Sequence, residues 1–280
     1  MADHLGVSYE ECLQMLKIKY DGYRFSSEGI GIYNPFSLLS ALKKQEFGRY
    51  WFESGTPTYL INRMQETDYT LEDFSAGIQE DAETMKNYRE GDLDLIPLFY
   101  QAGYLTIKRY DPVGELYMLI FPNEEVAYGF EKALVPYVLK GESSRRFVLI
   151  NQMLADLTHG DADTFMKRLR ALMASIPYLE GIVPYSEREW RNQVFLIFKL
   201  LGQRTHAEVH TSNGRVDCVV DNDKYVYVFE FKQDKPVEDA IFQIEDKNDS
   251  LAYEADGRKV FKIGSTFLMD KRTFMEWKIE

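Results

Sequence analysis

Two charged residues, Glu230 and Lys232, lie two positions apart in a segment with the pattern of a β-strand. In Tyr225–Lys232, tyrosine and phenylalanine alternate with valine, glutamate and lysine, so successive side chains are expected on opposite faces. Glu230 and Lys232 therefore share a face with Val226 and Val228, which indicates that this face is at least partly buried. Charges that enter such a face need partners or a metal ion.

A second carboxylate, Asp217, interrupts the apolar segment Val216–Val220 upstream of this strand. If residues 221–224 form a turn, the two segments pair as antiparallel strands and Asp217 comes close to Glu230. The two carboxylates and the ammonium group of Lys232 would then converge on one point. Such a set of groups suits a Mg²⁺ ion and an anionic phosphate.

The elements that must position these residues lie in the C-terminal third of the chain. Ser186 and Glu189 have the spacing of a capping box and begin a helix that ends at Gly202. Turns such as Ser212-Asn-Gly214 separate the segments that follow this helix. The order of these segments predicts an α/β sheet with flanking helices. The strands are expected at Ala207–Thr211, Arg215–Val220, Tyr225–Lys232 and Lys259–Gly264, and the helices at Val237–Asp246 and Arg272–Trp277.

The first 140 residues are predicted to be mostly helical. Signals for helix starts and ends occur at Ser8–Glu11, Asn34-Pro35, Thr56-Pro57, Leu95–Gly103 and Asn123. Tyr104–Tyr110 and Glu115–Phe121 flank a turn and predict one β-hairpin. A helix followed by a hairpin resembles a winged-helix arrangement, which either contacts DNA or serves as a protein-packing unit. The acidic residues Asp111 and Glu115 favour the role as a protein-packing unit over contact with DNA.

Residues 143–176 have the pattern of two helices, interrupted at Thr158–Asp161, and Ile182–Tyr185 contains a proline and reads as a short connector. The predicted division is therefore a helical part with one hairpin at 1–140, a helical connector at 141–185 and an α/β domain at 186–280. The expected fold class is mixed α/β.

Composition excludes several classes of protein. With 45% hydrophobic and 14% aromatic residues in 280, the chain can bury hydrophobic cores, which excludes general disorder. No apolar run approaches the roughly 18 residues of a membrane helix, and two cysteines fit a reduced cytoplasm. A net charge of −12 argues against a protein whose whole surface coats nucleic acid, although a local basic track stays compatible with it.

The motifs Gly214-Arg-Val-Asp217, Phe229-Glu-Phe-Lys232 and Gln243-Ile244 together resemble the PD-(D/E)XK nuclease superfamily. More specifically, the chain resembles bacterial proteins that join such a domain to an AAA-ATPase-like domain. The resemblance extends to N-terminal motifs and so covers nearly the whole chain. These motifs are Tyr20-Asp-Gly-Tyr-Arg-Phe25, Tyr33-Asn-Pro-Phe36, Tyr50-Trp-Phe-Glu-Ser-Gly-Thr-Pro57 and Phe121-Pro-Asn-Glu-Glu125.

The resemblance implies a restriction-endonuclease-like α/β domain with a Mg²⁺ or Mn²⁺ site. Asp217, Glu230 and the backbone carbonyl of Phe231 would be metal ligands, and Lys232 would orient the attacking water or offset phosphate charge. An acid from the preceding helix commonly joins this set. Glu187 is preferred to Glu189, which has an alternative role in the capping box, although Glu187 is also a favourable first-turn acid.

Two further residues on or after the next helix are candidates by the same resemblance. Gln243 matches a glutamine seen there in many of these nucleases, and Lys247 is a looser candidate for a phosphate contact. Either residue could instead be ordinary polar helix surface.

The implied function is a metal-dependent nuclease that hydrolyses phosphodiester bonds, with DNA favoured over RNA. The alternative is a catalytically inactive nuclease-fold module that binds nucleic acid or protein and is regulated by an ATPase-like region. By the resemblance, residues 1 to about 140 are the distal part of that region, which would act from upstream or in trans. The sequence contains no P-loop motif, so we expect this chain to hydrolyse no ATP. We also expect it to be a C-terminal fragment or a naturally shortened member of that family.

Two other features have simpler explanations than chemistry. His206, Glu208 and His210 alternate like metal ligands, but the solvated face of a strand explains them better. Cys218 is expected to fill the core beside Asp217, because no histidine lies near it in sequence.

Overall fold

A computed structural model describes residues 1–54, 57–86, 94–177, 185–202, 206–212, 215–246, 253 and 257–280. These residues divide into two compact units, 1–133 and 134–280. No helix in these ranges is long and apolar enough to cross a membrane. Several positions singled out in the sequence lie outside the described residues, namely Thr56, Gly214, Lys247 and 182–184.

The first unit is mainly helical, with a small antiparallel sheet in the order β1-β3-β2. Its helices are α1 (Ala2–Leu5), α2 (Tyr9–Tyr20), α3 (Pro35–Lys44), α4 (Thr58–Gln65), α5 (Leu71–Ala76), α6 (Ala82–Lys86) and α7 (Leu95–Gln101). A 3₁₀ turn covers Trp51–Ser54, and the strands are β1 (Ile78–Asp81), β2 (Thr106–Asp111) and β3 (Leu116–Ile120). The boundary between the units falls within α8 (Glu124–Val138).

Local capping explains where several of these helices begin. Ser8 forms the predicted capping box with Glu11, and the side chain of Asn34 accepts a hydrogen bond from the backbone of Ser37. Pro57 occupies the cap position, so α4 begins one residue later than the sequence suggested.

The predicted hairpin is confirmed as β2 and β3, and a third strand, β1, pairs with β3. The sequence did not indicate β1 because it has only four residues, three of them polar or acidic. Aromatic residues form the core beside this sheet. Phe99 stacks edge-on against Phe130 with ring centroids 5.3 Å apart, and Phe74 lies 4.7 Å from Phe99.

The second unit is built on a five-stranded sheet in the order β4-β5-β6-β7-β8, in which only β6 and β7 are parallel. The strands are β4 (His206–Ser212), β5 (Arg215–Asp221), β6 (Tyr225–Gln233), β7 (Lys259–Leu268) and β8 (Thr273–Ile279). The helices that follow α8 are α9 (Ser143–His159), α10 (Ala162–Ala174), α11 (Glu187–Leu201) and α12 (Val237–Asp246).

The prediction of a last helix at Arg272–Trp277 was wrong. This segment is strand β8, which pairs with β7 and buries Phe274 against Phe231 and Phe267. A short segment that mixes apolar and polar residues is compatible with the periodicity of a helix or of a strand. Here it forms a strand because it pairs with the free edge of β7.

The two faces of β6 are covered by different helices. Phe229 packs against Phe165 of α10 and Phe198 of α11, and the hydroxyl of Tyr227 donates to the carbonyl of Leu157 in α9 at 2.5 Å. The opposite face carries Val226 and Val228, which form a cluster with Ile244 of α12. The face with Glu230 and Lys232 is therefore the α12 face.

The helical pair α9–α10, which the sequence analysis placed in a connector at 141–185, packs onto this sheet and belongs to the unit 134–280. The physical reason is that the aromatic face of β6 is shielded from water only when helices pack over it. The boundary between the two units of the structure lies at 133/134, and the three-part division stays a prediction.

Candidate active site

Asp217 of β5 and Glu230 of β6 lie directly opposite each other in the antiparallel register. Residues paired in this way project from the same face, with Cβ atoms about 4.5–5.5 Å apart. The two carboxyl groups are hydrogen-bonded to each other. The structure thus brings together the two carboxylates that the sequence analysis selected.

Glu230 is 1% exposed, and this burial is the main cause of an unusual proton affinity. Burial raises the pKa of its carboxyl group to about 7, and the hydrogen bond with Asp217 acts in the same direction. Lys232 acts in the opposite direction, because its Nζ lies 2.6 Å from Oε1 of Glu230. The pair of carboxyls therefore keeps a shared proton up to about neutral pH.

Lys232 is buried as well, and its ammonium group connects the sheet to α12. Nζ donates one hydrogen bond to Glu230 and another to Oε1 of Gln243. Gln243 therefore joins the cluster through Lys232, at the position that the resemblance implied.

Gly264 of β7 allows this close approach of α12. It is the register neighbour of Glu230, and a Cβ at this position would lie 2.8 Å from Cγ1 of Ile241 and 3.0 Å from its backbone nitrogen. A side chain there would push α12, and with it Gln243, away from the sheet. No pattern in the sequence indicated this role, because the close approach of a helix is a tertiary contact.

Glu187 begins α11, and its carboxylate lies 3.7 Å from Nε of Arg191. Glu189 forms the expected capping box with Ser186, which agrees with the preference for Glu187 as the acid for the site. However, α11 packs through Phe198 on the face of Phe229 and Phe231, opposite to the face of Glu230. The role of Glu187 beside a metal stays a prediction.

The residues present suit a hard divalent cation. Two carboxyl groups in hydrogen-bond contact, one of them buried, repel each other when both are ionised and must share a proton or a cation. Within the described ranges, no group of three or more His, Cys, Asp or Glu side chains is arranged to hold a metal. A cation here would rely on Asp217, Glu230 and further oxygen donors such as the carbonyl of Phe231 and water, a set that Mg²⁺ accepts.

His210 of β4 is a residue of this face that the sequence analysis set aside. It is the register partner of Asp217, so the side chains of His210, Asp217 and Glu230 form one row across three strands. The signal was present in the alternation of β4, but only the register of the sheet connects it to the site. The side chains of His206 and Glu208 lie outside the described part.

The C-terminal part of the chain matches a known family model. Residues 185–277 match the family model of the PD-(D/E)XK nuclease superfamily. The mixed α/β sheet with helices on both faces agrees with the restriction-endonuclease-like fold that the resemblance implied.

Most of the chain is also similar to a longer bacterial protein. It is 32% identical over 268 residues to an "uncharacterized protein in vnfD 5'region" of Azotobacter chroococcum mcd 1, a match that covers 93% of this chain and 51% of the relative. The chain thus spans about half the length of that relative. No solved structure matches.

Proposed function

We propose that the domain at 186–280 is a metal-dependent nuclease that hydrolyses phosphodiester bonds, with DNA rather than RNA as its substrate. The observation that carries this proposal is the direct pairing of Asp217 with Glu230 beside the buried ammonium group of Lys232. The family match over 185–277 supports the same reaction.

Asp217, Glu230 and the carbonyl of Phe231 would hold Mg²⁺ or Mn²⁺. When bound, the cation would supply Lewis-acid stabilisation of the charge that develops on the phosphate.

Lys232 has the geometry of a substrate-contacting donor. Two of the three N–H bonds of its ammonium group point to Glu230 and Gln243, which leaves the third for the attacking water or a phosphate oxygen. Because both partners hold the ammonium group in place, this donor is preorganised for the transition state. Glu187 would add a further acidic group from the start of α11.

The test is a time course of cleavage of labelled single-stranded and duplex DNA with Mg²⁺, Mn²⁺ or EDTA. We expect metal-dependent cleavage by the wild type and a loss of about 10²-fold or more in Lys232→Ala, the scale of one preorganised transition-state contact. Lys224→Ala is the matched control, since Lys224 is an exposed lysine in the turn before β6. Equal cleavage by the wild type and Lys232→Ala would show that the activity lies elsewhere.

An inactive module that binds nucleic acid or protein is the second candidate. The proton-sharing pair of carboxyls favours it, because a protonated Glu230 is a poorer ligand for a cation. The same time course, together with a mobility-shift assay, decides between the two candidates. A wild type that binds DNA but cuts neither substrate with any metal would be an inactive binding module.

We further propose that residues 1–140 form the distal part of an ATPase-like region, and that this chain hydrolyses no ATP. The N-terminal motifs and the greater length of the relative support this proposal. Phosphate release from ATP by the purified chain, above that of a heat-inactivated sample, would contradict it. A cytoplasmic location is proposed on the free, buried Cys12 and Cys218.

A further inference from the structure

His210 lies one strand outward from the carboxylate pair, on the same sheet face. It is paired with Asp217, which is in turn paired with Glu230. Neighbouring strands are about 4.8 Å apart, so the imidazole lies roughly that far beyond Asp217 across the sheet. The row therefore continues past the proposed metal ligands toward β4.

Exposure increases along this row. Glu230 is 1% exposed, Asp217 is half-buried and His210 is exposed. β4 is the edge strand of the sheet, and α12 packs over β6, β7 and β8 on this face. A ligand that reaches Asp217 and Glu230 beside α12 would therefore extend across β4 and pass over His210.

Within the described part of the chain, the imidazole of His210 makes no hydrogen bond or ion pair. Lys232, which lies on the same face, is already held by Glu230 and Gln243. An imidazole has a ring N–H to donate in either neutral tautomer and two when protonated. His210 is thus an available donor next to a site that would bind a phosphate.

We propose that His210 forms a phosphate subsite of the nuclease domain. Its imidazole donates a hydrogen bond to a non-bridging oxygen of the backbone phosphate adjacent to the scissile one, on the β4 side. This proposal rests on the proposed nuclease function, because that function puts a nucleic-acid backbone across the row. A role in holding the backbone strengthens substrate binding and leaves the chemical step nearly unchanged.

The experiment compares the wild type with His210→Ala, His210→Gln and His159→Ala. The glutamine keeps an N–H donor, and His159 is the matched control because it is an exposed histidine at the end of α9. Steady-state cleavage of a labelled DNA gives kcat and KM at saturating Mn²⁺, and a Mn²⁺ titration gives the midpoint of activation. Anisotropy of the same DNA with Ca²⁺ gives Kd, and thermal unfolding checks that each variant folds.

In His210→Ala we expect KM and Kd to rise about 5- to 20-fold, the scale of a lost hydrogen bond to a charged group, with kcat within about 2-fold. His210→Gln should recover part of this loss, and His159→Ala should match the wild type. Unchanged KM and Kd in His210→Ala would overturn the subsite and leave the nuclease function standing. A shifted Mn²⁺ midpoint with unchanged KM would overturn it in favour of a metal ligand.

The proposed function fails separately, on the wild type alone. A wild type that binds DNA but does not cut it removes the nuclease function, and the Kd values still test His210. A wild type that neither binds nor cuts DNA overturns both proposals.

Discussion

Gln243 of α12 accepts a hydrogen bond from Nζ of Lys232, so a helix and the central strand of the sheet meet at the ammonium group. Without this bond, Lys232 would keep Glu230 as its described partner and could swing with the flexible side chain of a lysine. The position of the ammonium group therefore depends on how α12 sits on the sheet.

Gln243→Ala should lower kcat by about 10- to 100-fold, the range found when a group that orients a site residue is removed. Stability should change little, because Gln243 is only partly buried. The measurement is kcat for DNA cleavage, with Gln65→Ala as a control, since Gln65 is an exposed glutamine on α4. A kcat equal to that of the wild type would show that Gln243 is ordinary helix surface.

The metal-free protein should lose stability as the pH rises from about 5 to 8. The pKa of Glu230 is raised from 4.5 to about 7 in the folded state, so its contribution to stability is present below 4.5 and is lost as the pH rises through 7. The upper bound of this loss is about 3 kcal/mol. Urea unfolding in EDTA across this range checks it.

Glu230→Gln is the control for this pH dependence, because the amide does not titrate. Relative to that variant, the wild type should become less stable with rising pH. A parallel pH dependence of the two proteins would contradict the assignment. Mn²⁺ affinity should rise over the same range, since the cation displaces the proton.

Gly264→Ala should destabilise the unit 134–280 by about 1–3 kcal/mol, the usual cost of an overpacked core. The added Cβ would meet Ile241 of α12, and the displaced helix would carry Gln243 away from Lys232. Urea unfolding measures the stability, and kcat should fall as well. In the double variant with Ile241→Ala, the destabilisation should be less than the sum of the two single changes; an additive result would mean that the two residues do not meet.

A fragment of residues 134–280 should fold alone, whereas residues 186–280 should not. The shorter fragment lacks α9 and α10, which cover Tyr227 and Phe229 of β6. Exposure of this aromatic face favours aggregation. Circular dichroism and size-exclusion chromatography of the two fragments check the prediction, and a cooperative unfolding transition of 186–280 would contradict it.

Local sequence determined most of the elements. The capping boxes at Ser8 and Ser186 and the cap at Asn34 mark helix starts, because a cap involves groups only three residues apart. The helix Val237–Asp246 matches the sequence-based range, and the alternation of β6 correctly assigned Glu230 and Lys232 to one face. These features depend on periodicity within one segment.

Tertiary structure decided the rest, since it depends on which segments meet. The edge of β7 made Thr273–Ile279 a strand, and the aromatic face of β6 drew α9 and α10 onto the sheet. The register of β4 with β5 put His210 beside Asp217, and a shift of one residue would have turned it to the other face. Such contacts join residues far apart in the chain, so no pattern within one segment specifies them.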